Sequence, residues 1–185
     1  MKASNPLNLR PQDTLILIKL LCAESREWRQ LDIAMELDMS QAEIANSLER
    51  LRRASLIDDS KRRVQRLAAT EFIVHGIKYF YPPELGAYSR GMPTGHSAKP
   101  LKGKLVIEEN LEWVWPDAEG KDRGLILHPI YESVPFAAQQ DPELYELMAL
   151  IDSIRAGGPR EKKMAEEHLR KRLMSSRDRK IAHEA

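Results

Sequence analysis

The sequence contains 185 residues, of which 42% are hydrophobic, enough for one domain or two small ones with a sizeable core. No apolar run reaches the roughly 18 residues needed to span a bilayer, and residues 1–10 lack the apolar centre of a signal peptide, so we expect neither segment. The single cysteine, Cys22, cannot form an internal disulfide, which favours a reducing cytoplasm.

The formal net charge of +1 conceals an uneven distribution along the sequence. Residues 1–66 carry 12 basic and 10 acidic side chains, residues 67–157 carry 8 and 13, and residues 158–185 carry 9 and 5. Residues 50–66 alone hold seven basic side chains and two acidic ones. Because clustered positive charge attracts phosphate backbones, this segment is a candidate nucleic-acid surface, from which the acidic middle of the protein would be held away.

The first predicted element is a helix that begins near Pro11 and is apolar almost all round from Leu15 to Cys22. Such a helix is buried, either at the centre of the domain or partly in a subunit contact. Trp28 follows it and is expected to pack beneath the next two helices, with a contact to DNA or to a partner as the alternative.

Residues 30–57 have the pattern of two helices joined by a three-residue turn at residues 38–40. In the second helix Ile44, Leu48 and Leu51 recur at helical spacing and would face the core. Ser40 and Glu43 have the spacing of a capping box, in which each side chain binds the backbone N–H of the other residue.

This segment resembles the winged-helix DNA-binding domains of bacterial transcription regulators, particularly the MarR-like group. The resemblance is carried by residues 33–37, 39–44 and 48–57, and it covers about residues 11–66. It implies that the helix of residues 41–54 enters the DNA major groove and that a homodimer forms through helices outside the DNA-binding part.

The sequence departs from that family at two places. Asp38 stands where the family's turn prefers glycine, so a left-handed backbone must be accommodated there. Residues 58–66 are too short and too charged for two strands, which predicts a vestigial wing or a basic loop.

The polar side of the second helix divides into two predicted roles. Amide side chains can bind adenine edges, guanidinium groups guanine, and hydroxyl groups either base, whereas the remaining cations would neutralise phosphates and fix position without reading sequence. The candidate base-reading residues are Ser40, Gln41, Asn46, Ser47 and Arg50, and the candidate phosphate-binding residues are Arg52, Arg53, Lys61, Arg62, Arg63 and Arg66.

A helix over residues 67–81 is predicted next, ended by Pro82 and Pro83. In residues 84–104 glycines and prolines break every periodicity, which predicts an irregular loop of about 20 residues. Such a loop either binds a partner, DNA or a small anion, or lies over the core as structure alone. The candidate residues for a partner or an effector are Tyr88, Arg90, His96, Ser97 and Lys99.

Catalysis by His96 and Ser97 is disfavoured, because adjacent residues in an extended segment point apart and the second glycine of a nucleophile elbow is missing. No catalytic residue is therefore assigned. The sequence contains no pair of Cys or His residues at metal-ligand spacing, no glycine-rich phosphate loop and no dinucleotide fingerprint, so neither a metal nor a cofactor is expected.

Short strands are predicted at residues 105–107, 112–115 and 123–128, followed by an irregular connection through Pro129 and Pro135. Trp113 and Trp115 share one side of their strand and either anchor a small sheet or form an exposed face for a partner.

The last part of the sequence is predicted to be an αα-hairpin. Asp141 is a good N-cap for a helix that ends before residues 157–159, and a second helix follows over residues 160–173. The hairpin is either the dimerisation element or a helical pair packed on its own subunit.

Together these patterns predict a mainly α protein with a small β component. A helix-turn-helix domain (residues 1–82) would be followed by an irregular region with short strands (83–140) and the helical hairpin (141–185). The predicted function is that of a sequence-specific regulator binding double-stranded DNA, most simply a dimeric repressor. The alternative is an antitoxin-like autoregulator that grips a cognate protein partner with the middle loop and the Trp113 and Trp115 face.

Overall fold

The structure is a computed structural model that describes residues 8–104 and 111–174. It is mainly helical with a small three-stranded sheet, which confirms the predicted fold class at that level. The strand predicted at residues 105–107 lies outside the described residues.

Helix α1 (Pro11–Ala23) is buried on every side, as its sequence predicts. Pro11 occupies the first turn, and the Asp13 carboxylate accepts a hydrogen bond of 2.8 Å from the backbone N–H of Arg10. Leu15, Ile16 and the other apolar residues of the helix are covered by the rest of the protein. The helix therefore lies at the centre of the fold.

Helices α2 (Gln30–Glu36) and α3 (Gln41–Arg53) follow, joined by the predicted turn. Asp38 has a left-handed backbone with φ of 51°, and the Ser40 hydroxyl accepts a hydrogen bond of 3.1 Å from the backbone N–H of Glu43. The reciprocal half of the predicted capping box is absent from the described contacts, because the Glu43 carboxylate instead binds Gln12 and Arg50.

A single antiparallel bridge between Ile57 and Val64 follows α3, so the structure has one bridged turn where a wing would have two strands. A continuous helix then runs from α4 (Arg66–Glu71) through a π-helical turn (Phe72–Gly76) to α5 (Ile77–Phe80). The helix predicted over residues 67–81 is thus confirmed, with the π turn as an addition.

The predicted loop at residues 84–104 is wrong, because its first half is the ten-residue strand β1 (Leu85–Thr94). β1 pairs antiparallel with β2 (Trp113–Pro116) and with β3 (Asp122–Leu127), and β2 and β3 pair in parallel through two residues each. The three strands close into a small barrel.

Closure of the barrel depends on small residues where strands approach closely. A Cβ atom at Gly91 would lie 2.0 Å from the carbonyl oxygen of Trp115. Trp115 is fully buried, and Trp113 is half-buried with its ring centroid 4.2 Å from that of His96. The two tryptophans therefore anchor the sheet and do not form an exposed partner face.

Three further helices complete the fold: α6 (Val134–Gln140), α7 (Pro142–Ala156) and α8 (Pro159–Leu173). The irregular connection predicted between Pro129 and Pro135 is present as far as residue 133, but Pro135 itself lies in the first turn of α6, where proline is well tolerated. Asp141 caps α7 as predicted, accepting a hydrogen bond of 3.1 Å from the backbone N–H of Leu144.

Helices α7 and α8 pack as the predicted hairpin, and the apolar side of that hairpin is buried within its own subunit. One hydrophobic cluster contains residues of helices α1, α2 and α3, residues of helices α6, α7 and α8, and Trp115. The ammonium group of Lys19 forms two ion pairs. Its Nζ atom lies 2.7 Å from a carboxylate oxygen of Asp141 and 2.7 Å from one of Glu36. These contacts tie α1 to α2 and to the start of α7.

Candidate nucleic-acid interface

The solvent side of α3 is a polar strip with two alanines. Exposed residues form two rows along this side. One row consists of Gln41, Ala45 and Arg53, and the row beside it consists of Ala42 and Asn46. The opposite side of the helix buries Ile44, Leu48 and Leu51, as the spacing predicts.

Three of the five candidate base-reading residues lie on this exposed side. The amides of Gln41 and Asn46 have no hydrogen-bond partner within residues 8–104 and 111–174. Ser40 is also exposed, but its hydroxyl oxygen already accepts the capping hydrogen bond from Glu43. The two amides are therefore the groups most available to an incoming ligand.

The prediction is wrong for the other two base-reading residues, Ser47 and Arg50, which are 0% and 3% exposed. The Arg50 guanidinium donates from Nε to Asp13 Oδ2 at 2.8 Å and from Nη2 to Asp13 Oδ1 at 2.7 Å. The Ser47 hydroxyl donates to the same carboxylate. These residues fasten α3 to α1 and cannot reach a base edge.

Asp13 is the residue that sequence reasoning missed in this cluster. Its carboxylate is 1% exposed and accepts from Arg10, Ser47 and Arg50, while Glu43 pairs with the same Nη2 nitrogen of Arg50 that binds Asp13. A buried guanidinium requires carboxylate partners, and Asp13 and Glu43 bind its Nε and Nη2 nitrogens. The side-chain hydrogen bond to Asp13 and the one to Glu43 raise the pKa of Arg50, which keeps its charge fixed.

A second carboxylate, Glu49, organises the candidate phosphate-binding cations. It pairs with Arg52 at 2.8 Å, with Arg53 at 3.2 Å and with Lys61 at 2.9 Å. The hydrogen bonds from Arg52 and Lys61 hold the pKa of Glu49 well below its usual range. The positive segment identified in the sequence is therefore partly neutralised by an acidic residue at its centre.

The other three candidate phosphate-binding residues differ in their availability. Arg62 donates to the backbone oxygen of Trp28 at 2.6 Å and stacks 4.5 Å above the ring of that buried tryptophan. Arg66 donates to the backbone oxygen of Leu173 at 2.6 Å and pairs with Glu24, so it is engaged internally. The Arg63 side chain is exposed and forms no hydrogen bond or ion pair in the described part of the protein, although its charge acts on Asp58.

In the middle segment, Tyr88, His96 and Ser97 line one cleft, whereas Arg90 and Lys99 are exposed outside it. His96 Nε2 donates to the backbone oxygen of Leu111 at 3.0 Å, and the Ser97 hydroxyl accepts from the backbone N–H of Trp113 at 2.8 Å. The two side chains thus bind different backbone groups of the same neighbouring segment.

Metal binding and membrane insertion find no support in the residues that the structure describes. No group of three His, Cys, Asp or Glu side chains among them could hold a metal ion. None of the helices described combines the length and the apolar character needed to cross a bilayer.

Comparisons of the sequence and the structure with protein-family models, with curated proteins and with solved structures gave no match.

Proposed function

We propose that the protein is a sequence-specific DNA-binding regulator that reads the major groove with the N-terminal half of α3. The observation that carries this proposal is the exposed pair of amides of Gln41 and Asn46, free of partners among the described residues and flanked by Ala42 and Ala45. Amide side chains bind adenine edges bidentately, and the major groove admits one α-helix. The two alanines leave room for the helix to approach the bases and can contact thymine methyl groups.

The packing of α3 against the rest of the protein supports the proposal. A helix that reads bases must be held in one orientation by packed and hydrogen-bonded neighbours. Ile44 and Leu48 pack it on the core, and the buried pair of Arg50 and Asp13 fastens it to α1. Arg50 thus has a positioning role in place of the base-reading role predicted from sequence.

The cations near the C-terminal end of α3 would fix the position of the duplex without reading its sequence. Arg63 is exposed and available, and Arg53 is half-exposed with only Glu49 as partner among the described residues. Arg52 and Lys61 would exchange their contact with Glu49 for a contact with phosphate oxygens. Base reading is then confined to the N-terminal half of the helix, because Glu49 lies on the same side one turn beyond Ala45.

We further propose that the regulator acts as a homodimer on two half-sites about one helical turn of DNA apart. The hairpin of α7 and α8 does not supply a free apolar side for this contact, since that side is buried within the subunit. Light scattering after size-exclusion chromatography measures the oligomeric state. A protein that stays monomeric at all concentrations and on DNA would contradict the proposed dimer, and base reading at a single half-site could still be tested.

The proposal is tested by selection of bound duplexes from a randomised pool at about 100 mM salt, where phosphate contacts still act. We expect one enriched motif. Asn46→Ala should then lose its preference at one base pair, a discrimination of about 1–3 kcal/mol, with an unchanged melting temperature. Gln140→Ala removes an exposed amide at the end of α6 and is the matched control, which should leave the motif unchanged.

Two results would contradict the proposal. The first is the absence of any enriched sequence with a folded protein. The second is an identical motif for the wild type and for a Gln41→Ala, Asn46→Ala double variant, because the two amides would then carry no sequence information.

A further inference from the structure

A cleft of about 440 Å³ opens on the small barrel, between β1, β3 and the turn after the short 3-10 helix of residues 95–97. This volume is within the range of small-molecule sites, about 300–1,000 Å³. The cleft lies on residues far in sequence from α3, and its lining combines an aromatic ring, hydrogen-bond acceptors and cations that have no ion-pair partner among the described residues.

Three side chains of the cleft offer hydrogen-bond acceptors. His96 is 4% exposed, and because its Nε2 donates to the carbonyl of Leu111, its Nδ1 is an acceptor. That Nδ1 is buried and has no hydrogen-bond partner among the described residues. Burial lowers the pKa of His96, which keeps the ring neutral and Nδ1 unprotonated. The carboxylates of Glu112 and Asp122 also line the cleft, and neither has an ion-pair partner in the described ranges.

The cations lie on the rim. Lys102 and Arg123 are exposed, and neither meets a carboxylate within residues 8–104 and 111–174. The guanidinium carbon of Arg123 lies over the Tyr88 ring, 5.9 Å from its centroid, so an aromatic face and a planar cation are adjacent at the rim. Lys102 stands apart on the turn and supplies a point charge for an anionic group.

We propose that this cleft binds a nucleoside monophosphate. The phosphate would bind Lys102, the ribose hydroxyls would donate to Glu112 and Asp122, and the base would stack on Tyr88 and Arg123. A ligand with many donors, one anionic group and one planar ring matches all three kinds of lining group, whereas a sugar phosphate would leave the stacking face unused.

This inference stands apart from the proposed DNA binding, since ligand binding is measured on the protein without DNA. The test is isothermal titration of the 185-residue protein with AMP, GMP, CMP and UMP, each up to about 1 mM. We expect at least one to bind. Lys102→Ala should weaken that binding about tenfold or more, whereas Lys99→Ala, which removes an exposed lysine three residues earlier and outside the cleft, should not change it.

A second variant tests the ribose contact on an exposed side chain. Asp122→Asn should keep the fold and weaken the nucleotide more than it weakens the matching 2′,3′-dideoxynucleotide. Failure of all four nucleotides to bind would overturn the proposal. So would equal weakening by Lys99→Ala and Lys102→Ala, or binding of ribose 5-phosphate as tight as that of the best nucleotide.

Discussion

Replacing Arg50 by methionine separates a positioning role from a base-reading role in one experiment. Methionine keeps much of the apolar volume of the arginine stem but leaves the Asp13 carboxylate, which is 1% exposed, without its cation. Breaking a buried ion pair by removing one partner costs about 3–5 kcal/mol, because an uncompensated charge stays buried. For a protein of this size each kcal/mol lowers the melting temperature by about 2–4 °C, so Arg50→Met should melt about 6–20 °C below the wild type.

The assay is thermal and urea unfolding followed by circular dichroism, with Arg53→Met as the control. Arg53 lies on the same helix, but its side chain is 50% exposed and pairs only with Glu49 among the described residues. Exposed pairs contribute about 0–1 kcal/mol, so the control should unfold close to the wild type. Adding Asp13→Asn to Arg50→Met should recover part of the lost stability, since the double variant no longer buries an unpaired charge.

An Arg50→Met variant that unfolds within about 0.5 kcal/mol of the wild type, as a surface variant does, would contradict the stabilising role of the buried ion pair. That result, together with a changed DNA motif, would return Arg50 to the base-reading role. A large loss of stability that the Asp13→Asn change does not reduce would show that packing, and not charge, holds α3 on α1.

Glu49→Gln should release cations for phosphate, tightening non-specific DNA binding and steepening the dependence of log affinity on log salt concentration by about 1, as measured by fluorescence anisotropy. Burial raises the pKa of Asp141, but the hydrogen bond and charge of Lys19 and the backbone N–H groups of Leu144 and Glu143 together outweigh it and leave that pKa below the usual value. The Asp141 carboxylate therefore contributes its full stabilisation above its ordinary pKa, and this stabilisation is lost as the pH falls through its pKa in the folded protein. Melting curves between about pH 5 and pH 2 should show this loss in the wild type and a smaller loss in Lys19→Met. Gly91→Ala should destabilise the protein by about 1–3 kcal/mol in urea unfolding, since its Cβ would overlap the Trp115 carbonyl, and a wild-type midpoint would contradict the described closure of the barrel.

Local patterns in the sequence are sufficient to predict most helices. These patterns act over a few residues, so each can be recognised without knowing the fold. They are the periodicity of α1 and α3, the Ser40 and Asp141 caps and the glycines after α7. The burial of Ser47 also has a local signal, although the prediction placed this residue on the exposed side. Ser47 lies three residues after Ile44 and therefore shares the buried side of the helix.

The remaining errors come from contacts between distant parts of the sequence. Arg50 is predicted to be exposed because its partner Asp13 is 37 positions earlier, and no local rule connects them. Gly91 suggests a break in structure, whereas it permits close approach of two strands that are adjacent only in three dimensions. The cleft escapes sequence reasoning in part for the same reason, since Lys102, Glu112 and Arg123 come together only when the barrel closes.

The shared hydrophobic cluster limits how the protein can be divided in the laboratory. A fragment ending at residue 82 would keep α1 to α5 but lose α7, which packs against α1 and supplies the Asp141 partner of Lys19. Its apolar helix would then meet water, so we expect such a fragment to be insoluble or only loosely folded. Crystallisation trials, display libraries and fusions should therefore use all 185 residues.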